Sequence, residues 1–260
     1  MQISPIDWPK IAQLVLLSRE FDLLEEQQLA PQGKIKYQFS AKGNELSQIL
    51  LALTLTHPHD AAALNYRSRP FMLASGLTPS AALAAGMARS SSATQGRDTG
   101  VVFNLPGRSS LTVLPTSGDV GAQYTPAVGW AQAILYHQQV LDQTEWQGSI
   151  AVAHGGDGSI ASNGFWSALN IASTQRLPVL FFIEDNRYGL SVPAELQTPQ
   201  GNIAANLASF QNLCVMQADG TNPEQVSKSI STAVSHVRSG EGACLLRIDV
   251  PRLQGAHLHR

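Results

Sequence analysis

The sequence predicts an α/β protein whose parallel sheet is flanked by helices, and three observations carry that prediction. Apolar runs at 149–154, 178–184 and 244–250 are nearly continuous rather than alternating. Such runs mark strands covered on both faces. Helix-like stretches at 163–175 and 223–238 separate them, giving the alternation of βαβ units. With 260 residues, 43% of them hydrophobic, the chain can fill one large α/β domain or two small ones.

Earlier elements follow from their spacing. Leu14, Leu17, Phe21 and Leu24 recur three, four and three apart, forming one apolar helical stripe that "APQGKIK" (30–36) ends. The polar face is acidic, so a packing helix is expected, not a membrane-surface one. A second helix is expected over 45–56, stopped by "HPHD"; His57 and His59 there read as a turn, not a metal pair. Thr78-Pro79 opens an alanine-rich helix over 79–90. The stretch "RSSSATQGRDTG" (89–100) reads as a polar, mobile loop, and a long helix follows the small residues after Gly118. No internal repeat and no clear linker appears; a helical arm is assigned to 1–45 and the α/β domain to 46–260.

Composition excludes several classes. A net charge of −2 argues against electrostatic nucleic-acid binding. Cys214 and Cys244 are the only cysteines and form neither a disulfide framework nor a zinc pattern. No apolar run reaches the roughly 20 residues of a membrane span. The run at 11–17 is followed at once by Arg19-Glu20. A soluble cytoplasmic protein is expected.

The loop "GGDGSIASNG" (155–164) lies between a strand and a helix, where glycines usually cradle phosphate. Three readings fit it. Gly156 to Ala161 satisfies the dinucleotide pattern GxGxxA, and Glu184 ends the next strand 28 residues on. Asp157, however, would repel a pyrophosphate there. A plain turn with Asp157 capping the helix is the second reading. The third uses "LPVLFFIEDNRYG" (177–189), a buried strand running into Asp185-Asn186. Neighbouring parallel strands open on the same sheet edge, so Asp157 and Asn186, 29 residues apart, would converge there. Two hard oxygen ligands suit magnesium, which binds a carboxylate and a diphosphate together. The helix amino-terminus near 162–164 adds partial positive charge.

This spacing, GDG and then Asp-Asn after 26 residues, resembles the thiamine diphosphate signature, whose second half is normally Asn-Asn. The surrounding stretch 156–193 resembles the alpha subunit, or alpha-like half, of the decarboxylating component of 2-oxoacid dehydrogenase complexes. "LEEQQLAPQGKI", "NYRSRPFMLASGL" and "SGDVGAQYTPAVGWAQA" resemble further family segments in the same order. The resemblance implies a thiamine diphosphate-binding fold and assigns roles residue by residue. Asp157 and Asn186 would hold magnesium by their side chains and Tyr188 by its carbonyl. Gly156, Gly158 and Ser159 would line the diphosphate, the latter two donating backbone N–H groups. Tyr66 and Arg67 match a Tyr-Arg pair that reaches the phosphates. Gly118 and Val120 match positions that hold the aminopyrimidine ring. His257 matches a histidine of a Gly-His-Ser loop with a catalytic role, and His259 is its rival in register.

The implied reaction is decarboxylation of a 2-oxoacid and acyl transfer to a lipoyl-bearing acyltransferase. In the family a glutamate of a beta subunit activates the cofactor, so a beta-type partner is expected, in a heterotetramer or a fused dimer. "SVPAELQTPQGNI" (191–203) leans towards branched-chain or fused bacterial forms over pyruvate alone. The chain departs from the family at Ser167, usually glutamate, and at Leu105, in the place of a loop histidine. It also stops soon after the histidine loop, so an incomplete chain is expected. Two other functions stay open: a nicotinamide-dependent oxidoreductase using GxGxxA, and a non-catalytic alpha-like assembly protein.

Overall fold

A computed structural model describes residues 6–100, 102–105, 107 and 111–254, and the backbone of 256–258. The chain opens with α1 (Trp8–Leu24), whose start is capped by Asp7 accepting from the Lys10 N–H. It then widens into one π turn over Glu25–Leu29. There follow β1 (Tyr37–Phe39), α2 (Glu45–Thr54), β2 (Ala61–Ala63), α3 (Arg69–Ala74), α4 (Pro79–Gly86) and β3 (Thr112–Leu114). The second half comprises α5 (Tyr124–Gln139), β4 (Ala151–Gly156), α6 (Asn163–Gln175), β5 (Val179–Asp185) and a hairpin of β6 (Tyr188–Gly189) and β7 (Val192–Pro193). Last come α7 (Ile203–Asn206), β8 (Leu213–Asp219), α8 (Pro223–Arg238), β9 (Ala243–Asp249) and β10 (Ala256–Leu258).

Six strands form one parallel sheet in the order β3-β2-β4-β5-β9-β8. Both faces are covered. On β5, Leu180 and Phe182 enter one apolar cluster with residues of α1, α2, α3 and α8. The alternate residues Val179, Phe181 and Ile183 enter a second cluster with α5, α6 and α7. Successive side chains on a strand point to opposite faces, so a doubly covered strand must be apolar throughout. That is why the three strands expected at 149–154, 178–184 and 244–250 were readable, and each lies within two residues of its expected bounds.

Three sheet strands gave no comparable signal. β2 is three alanines and β3 is also three residues long, both too short for a period and, in β2, low in β-propensity. β8 lies at the sheet edge, partly exposed, and mixes Gln217 and Asp219 with apolar residues. The alanine-rich helix ends at Gly86 rather than at residue 90, because Ala88 turns to a positive φ of 50°. β1 and β10 pair antiparallel, with Gln38 opposite His257. Among the described residues no helix is long and apolar enough to cross a membrane.

The order of the strands locates a crevice. From β2 the chain moves outward to β3 and then returns to the other side of β2 to form β4. Connections leaving neighbouring strands in opposite directions open a gap at their carboxyl ends, where α/β sheets bind ligands. The segments leaving that gap are 64–68 after β2 and 157–162 after β4.

Candidate functional site

Gly156 at the end of β4 pairs with Glu184 on β5, so Asp157 and Asn186 leave the sheet at the same edge. The convergence expected from the sequence is present. Asp157 is 5% exposed. The nearby backbone N–H groups of Asp157, Asn186 and Gly158 favour its charged form, while Oδ2 is buried with no partner among the described residues. Burial, and secondly the nearby Asp185 charge, push its carboxyl up to about 6. Asn186 sits in a tight turn: its Oδ1 accepts from the Tyr188 N–H at 3.1 Å, and Asp185 Oδ1 accepts from the Arg187 N–H at 2.8 Å. At Gly158 a Cβ would stand 3.0 Å from the Gly189 Cα, so a glycine lets the β4 loop meet the β6–β7 hairpin.

These loops enclose a cavity of about 300 Å³. Tyr66 and Arg67 line it from the β2 side, Val120 and Gln123 from the start of α5, and Asp157, Gly158, Asn186 and Tyr188 from β4 and β5. Arg67 donates from Nη1 to the Ser40 carbonyl at 2.7 Å and lies 5.6 Å over the Tyr66 ring. Burial lowers its pKa. Gln123 is buried, and its Nε2 has no partner among the described residues. The cavity therefore gathers a guanidinium, an unpaired amide donor and an unpaired carboxylate oxygen. A larger cavity, about 380 Å³, lies around Gly148 and Arg238 at the amino edge. Arg238, on its wall, is paired with the buried Asp60 at 2.8 Å.

A family model described as "Dehydrogenase E1 component" matches residues 13–258. The chain belongs to this family. Its relatives include the 2-oxoisovalerate dehydrogenase subunit alpha of Bacillus subtilis, 28% identical over 217 residues, covering 82% of this chain and 62% of that protein. The pyruvate dehydrogenase E1 component subunit alpha of Zymomonas mobilis is 26% identical over 214 residues, covering 82% of this chain and 57% of that protein. The same subunit of Rhizobium meliloti is 29% identical over 138 residues, 53% of this chain and 37% of its own length. The chain thus spans roughly three fifths of the length of the first two relatives.

Within this family the arrangement brings together most of the residues singled out from the sequence. Tyr66, Arg67, Val120, Gly156, Asp157, Gly158, Ser159, Asn186 and Tyr188 all line the cavity. Gly118 does not, although its exposed neighbours Ser117 and Asp119 do, joined by a 3.0 Å hydrogen bond. His257 stands on β10 opposite Gln38, and His259 lies outside the described residues. The Ser159 hydroxyl is committed elsewhere, donating to the Gly156 carbonyl at 2.6 Å and meeting the Tyr124 hydroxyl at 2.6 Å. Only the Ser159 backbone is left for a ligand. The amino-terminus of α6 is set back from Asp157 by a 3₁₀ turn over Asp157–Ala161.

Glu184, the acid a dinucleotide reading would use, is buried and fully engaged. Ser47 Oγ bonds its Oε1 at 2.5 Å; Gln48 Nε2 and His154 Nε2 both meet Oε2 at 2.9 Å. Both of its oxygens thus already have partners within the fold. The two departures lie away from the acid–amide pair. Ser167 is exposed on α6, and Leu105 bridges Val113 and packs on the core. His57 and His59 form the expected turn, His57 N–H donating to Asp60 at 3.0 Å. Among the described residues no group of three acidic, histidine or cysteine side chains could hold a metal. A magnesium site here would therefore rest on one carboxylate, one amide and a backbone carbonyl. Sequence reasoning missed Gln123, His154 and Arg247; of these Gln123 lay within the quoted "GAQ" segment.

Proposed function

We propose that this chain is the alpha-type part of a thiamine diphosphate-dependent 2-oxoacid dehydrogenase. The observation that carries the reading is the unpartnered Asp157 Oδ2, buried beside Asn186 at the carboxyl ends of neighbouring strands. A buried carboxylate oxygen without a partner costs free energy unless a cation meets it. The donor set is hard oxygen throughout, which fits magnesium and a diphosphate.

Asp157, Asn186 and the Tyr188 carbonyl would hold the metal. The Gly158 and Ser159 N–H groups and Arg67 would neutralise phosphate oxygens, with Tyr66 beside them. Val120 supplies an apolar wall and Gln123 a free amide donor for the remainder of the cofactor. When bound, thiamine diphosphate supplies the electron sink for loss of carbon dioxide from a 2-oxoacid. The cavity is open where its lining residues Val120 and Leu190 are exposed, at 54% and 70%. A beta-type partner covering this rim would exclude water and complete the site, and a lipoyl-bearing acyltransferase would take the acyl group. Pyruvate and branched-chain 2-oxoacids both suit the relatives' names, and the chain's own pocket is only half of what selects between them. We place the assembly in the cytoplasm, and we keep for His257, which pairs with Gln38 across β1 and β10, the catalytic role that the family resemblance gives it.

Calorimetric titration with thiamine diphosphate, with and without magnesium and with a beta-type partner present, tests the reading. Magnesium-dependent binding that Asp157→Ala abolishes is expected. Binding indifferent to magnesium would sink it. Binding without any decarboxylation would favour a non-catalytic assembly role instead, in line with the changes at Ser167 and Leu105.

A further inference from the structure

Among the described residues Arg247 is the largest side chain buried below 2% exposure, and it stands on β9, the strand paired with β5. It donates four hydrogen bonds to three side chains. Nε donates to Asp185 Oδ2 at 2.8 Å, and Nη2 meets the same oxygen at 2.6 Å. Nη1 and Nη2 form a fork on Asp249, at 2.8 and 2.7 Å, and Nη1 also donates to Gln217 at 3.1 Å. Arg187 closes the cluster by donating to Asp249 Oδ1 at 2.9 Å. Two acids and two arginines therefore cancel at the carboxyl ends of β5 and β9.

The position of Asp185 gives this cluster meaning. The thiamine diphosphate signature usually carries Asn-Asn where this chain has Asp185-Asn186. Aspartate for asparagine adds a negative charge next to the proposed metal ligand, at the edge meant for a polyanion. Asp185 is near enough for its charge to be felt at Asp157. An uncompensated anion there would repel each phosphate that approaches.

We propose that Arg247 is the counter-ion that makes the Asp185 carboxylate compatible with a bound diphosphate, a positioning residue acting through Asp185 without touching the cofactor. This inference rests on the diphosphate-binding reading given above. It accounts for a fully buried arginine at a sheet edge where an apolar residue would pack more cheaply.

The test uses the full chain with its beta-type partner, titrated with thiamine diphosphate and with thiamine monophosphate at fixed magnesium. Arg247→Gln should weaken diphosphate binding about tenfold or more, and monophosphate binding less, because the penalty scales with ligand charge. Asp185→Asn combined with Arg247→Gln should bind diphosphate within about threefold of the unmodified protein. Equal losses for the two ligands would reduce Arg247 to a packing residue and overturn the proposal, as would a double variant no better than Arg247→Gln. If Arg247→Gln alone does not fold, the double variant is compared with Asp185→Asn; a difference well above threefold overturns the proposal. Unmodified protein that binds neither ligand overturns the functional reading itself, and this inference with it.

Discussion

His154 on β4 and Glu184 on β5 meet across the sheet, Nε2 to Oε2 at 2.9 Å, with the imidazole fully buried. The other imidazole nitrogen lies 2.8 Å from Ser68 Oγ, and Ser68 in turn bonds Asn65 at 3.1 Å. Gln48 reaches both Glu184 and the Arg67 carbonyl. One polar network thus ties the Tyr66–Arg67 loop to the strand that leads into Asn186.

Removing one partner of such a network leaves the others buried and unpaired. Glu184→Ala should destabilise the fold by about 3–5 kcal/mol. His154→Ala combined with Glu184→Ala should cost less than the sum of the two single changes, by about 1 kcal/mol or more. Urea unfolding of the four proteins checks both figures; strictly additive losses would show that the pair is not coupled.

Asp157 gives a pH signature. Its carboxyl stands at about 6 in the folded chain against an ordinary 3.8, so its favourable contribution is complete below pH 3.8 and is lost as pH rises through about 6. Asp157→Asn should therefore be more stable than the unmodified chain at pH 7, by up to about 3 kcal/mol, and no more stable at pH 3.5. Thermal melts across pH without added metal measure this. Magnesium with thiamine diphosphate should reverse the order at pH 7, and its binding should weaken below pH 6.

A buried acid pair anchors the amino-terminal helix. Asp22 and Glu25, each 2% exposed, share Arg69, at 3.2 and 2.8 Å. Burial holds both carboxyls above their ordinary values despite the arginine. Their contribution is thus greatest in acid and declines as pH rises. Arg69→Met should cost about 3–5 kcal/mol at pH 7 and clearly less near pH 4.5, where the stranded acids take up protons. An equal cost at both values, by denaturant titration, would contradict this account.

Gly155 tests packing beneath the site. A Cβ there would collide with Ser159 Oγ and the Tyr124 hydroxyl and stand 2.8 Å from Gln123 Nε2. Gly155→Ala should destabilise by about 1–3 kcal/mol. Tyr124→Phe, which removes one of the colliding atoms, should recover part of that loss. No recovery in thermal melts would mean that the strain lies elsewhere.

Legibility in the sequence followed burial and spacing. β4, β5 and β9 were readable because strands apolar on both faces leave an unbroken signature. Asp157 and Asn186 were readable because neighbouring parallel strands end at one edge of the sheet. β2 and β3 were not, since three residues carry no period, and β8 was hidden by its half-exposed edge position. Gln123, His154 and Arg247 had no local pattern: the Gln123 amide is singled out only by its burial, and the other two have distant partners, Glu184 lying 30 residues from His154 and Asp185 62 from Arg247.

The order of residues alone therefore determined the α/β class, the family resemblance and the acid–amide pair at the sheet edge. Those depend on hydrophobic periodicity and on short motifs, which are local. Only the tertiary structure decided which polar groups were already satisfied. It closed Glu184 and the Ser159 hydroxyl within the fold, left Asp157 Oδ2 and Gln123 Nε2 unpaired at the cavity, and set Arg247 against Asp185. Whether a polar atom is free depends on neighbours brought together by strand order, and chain order does not display them.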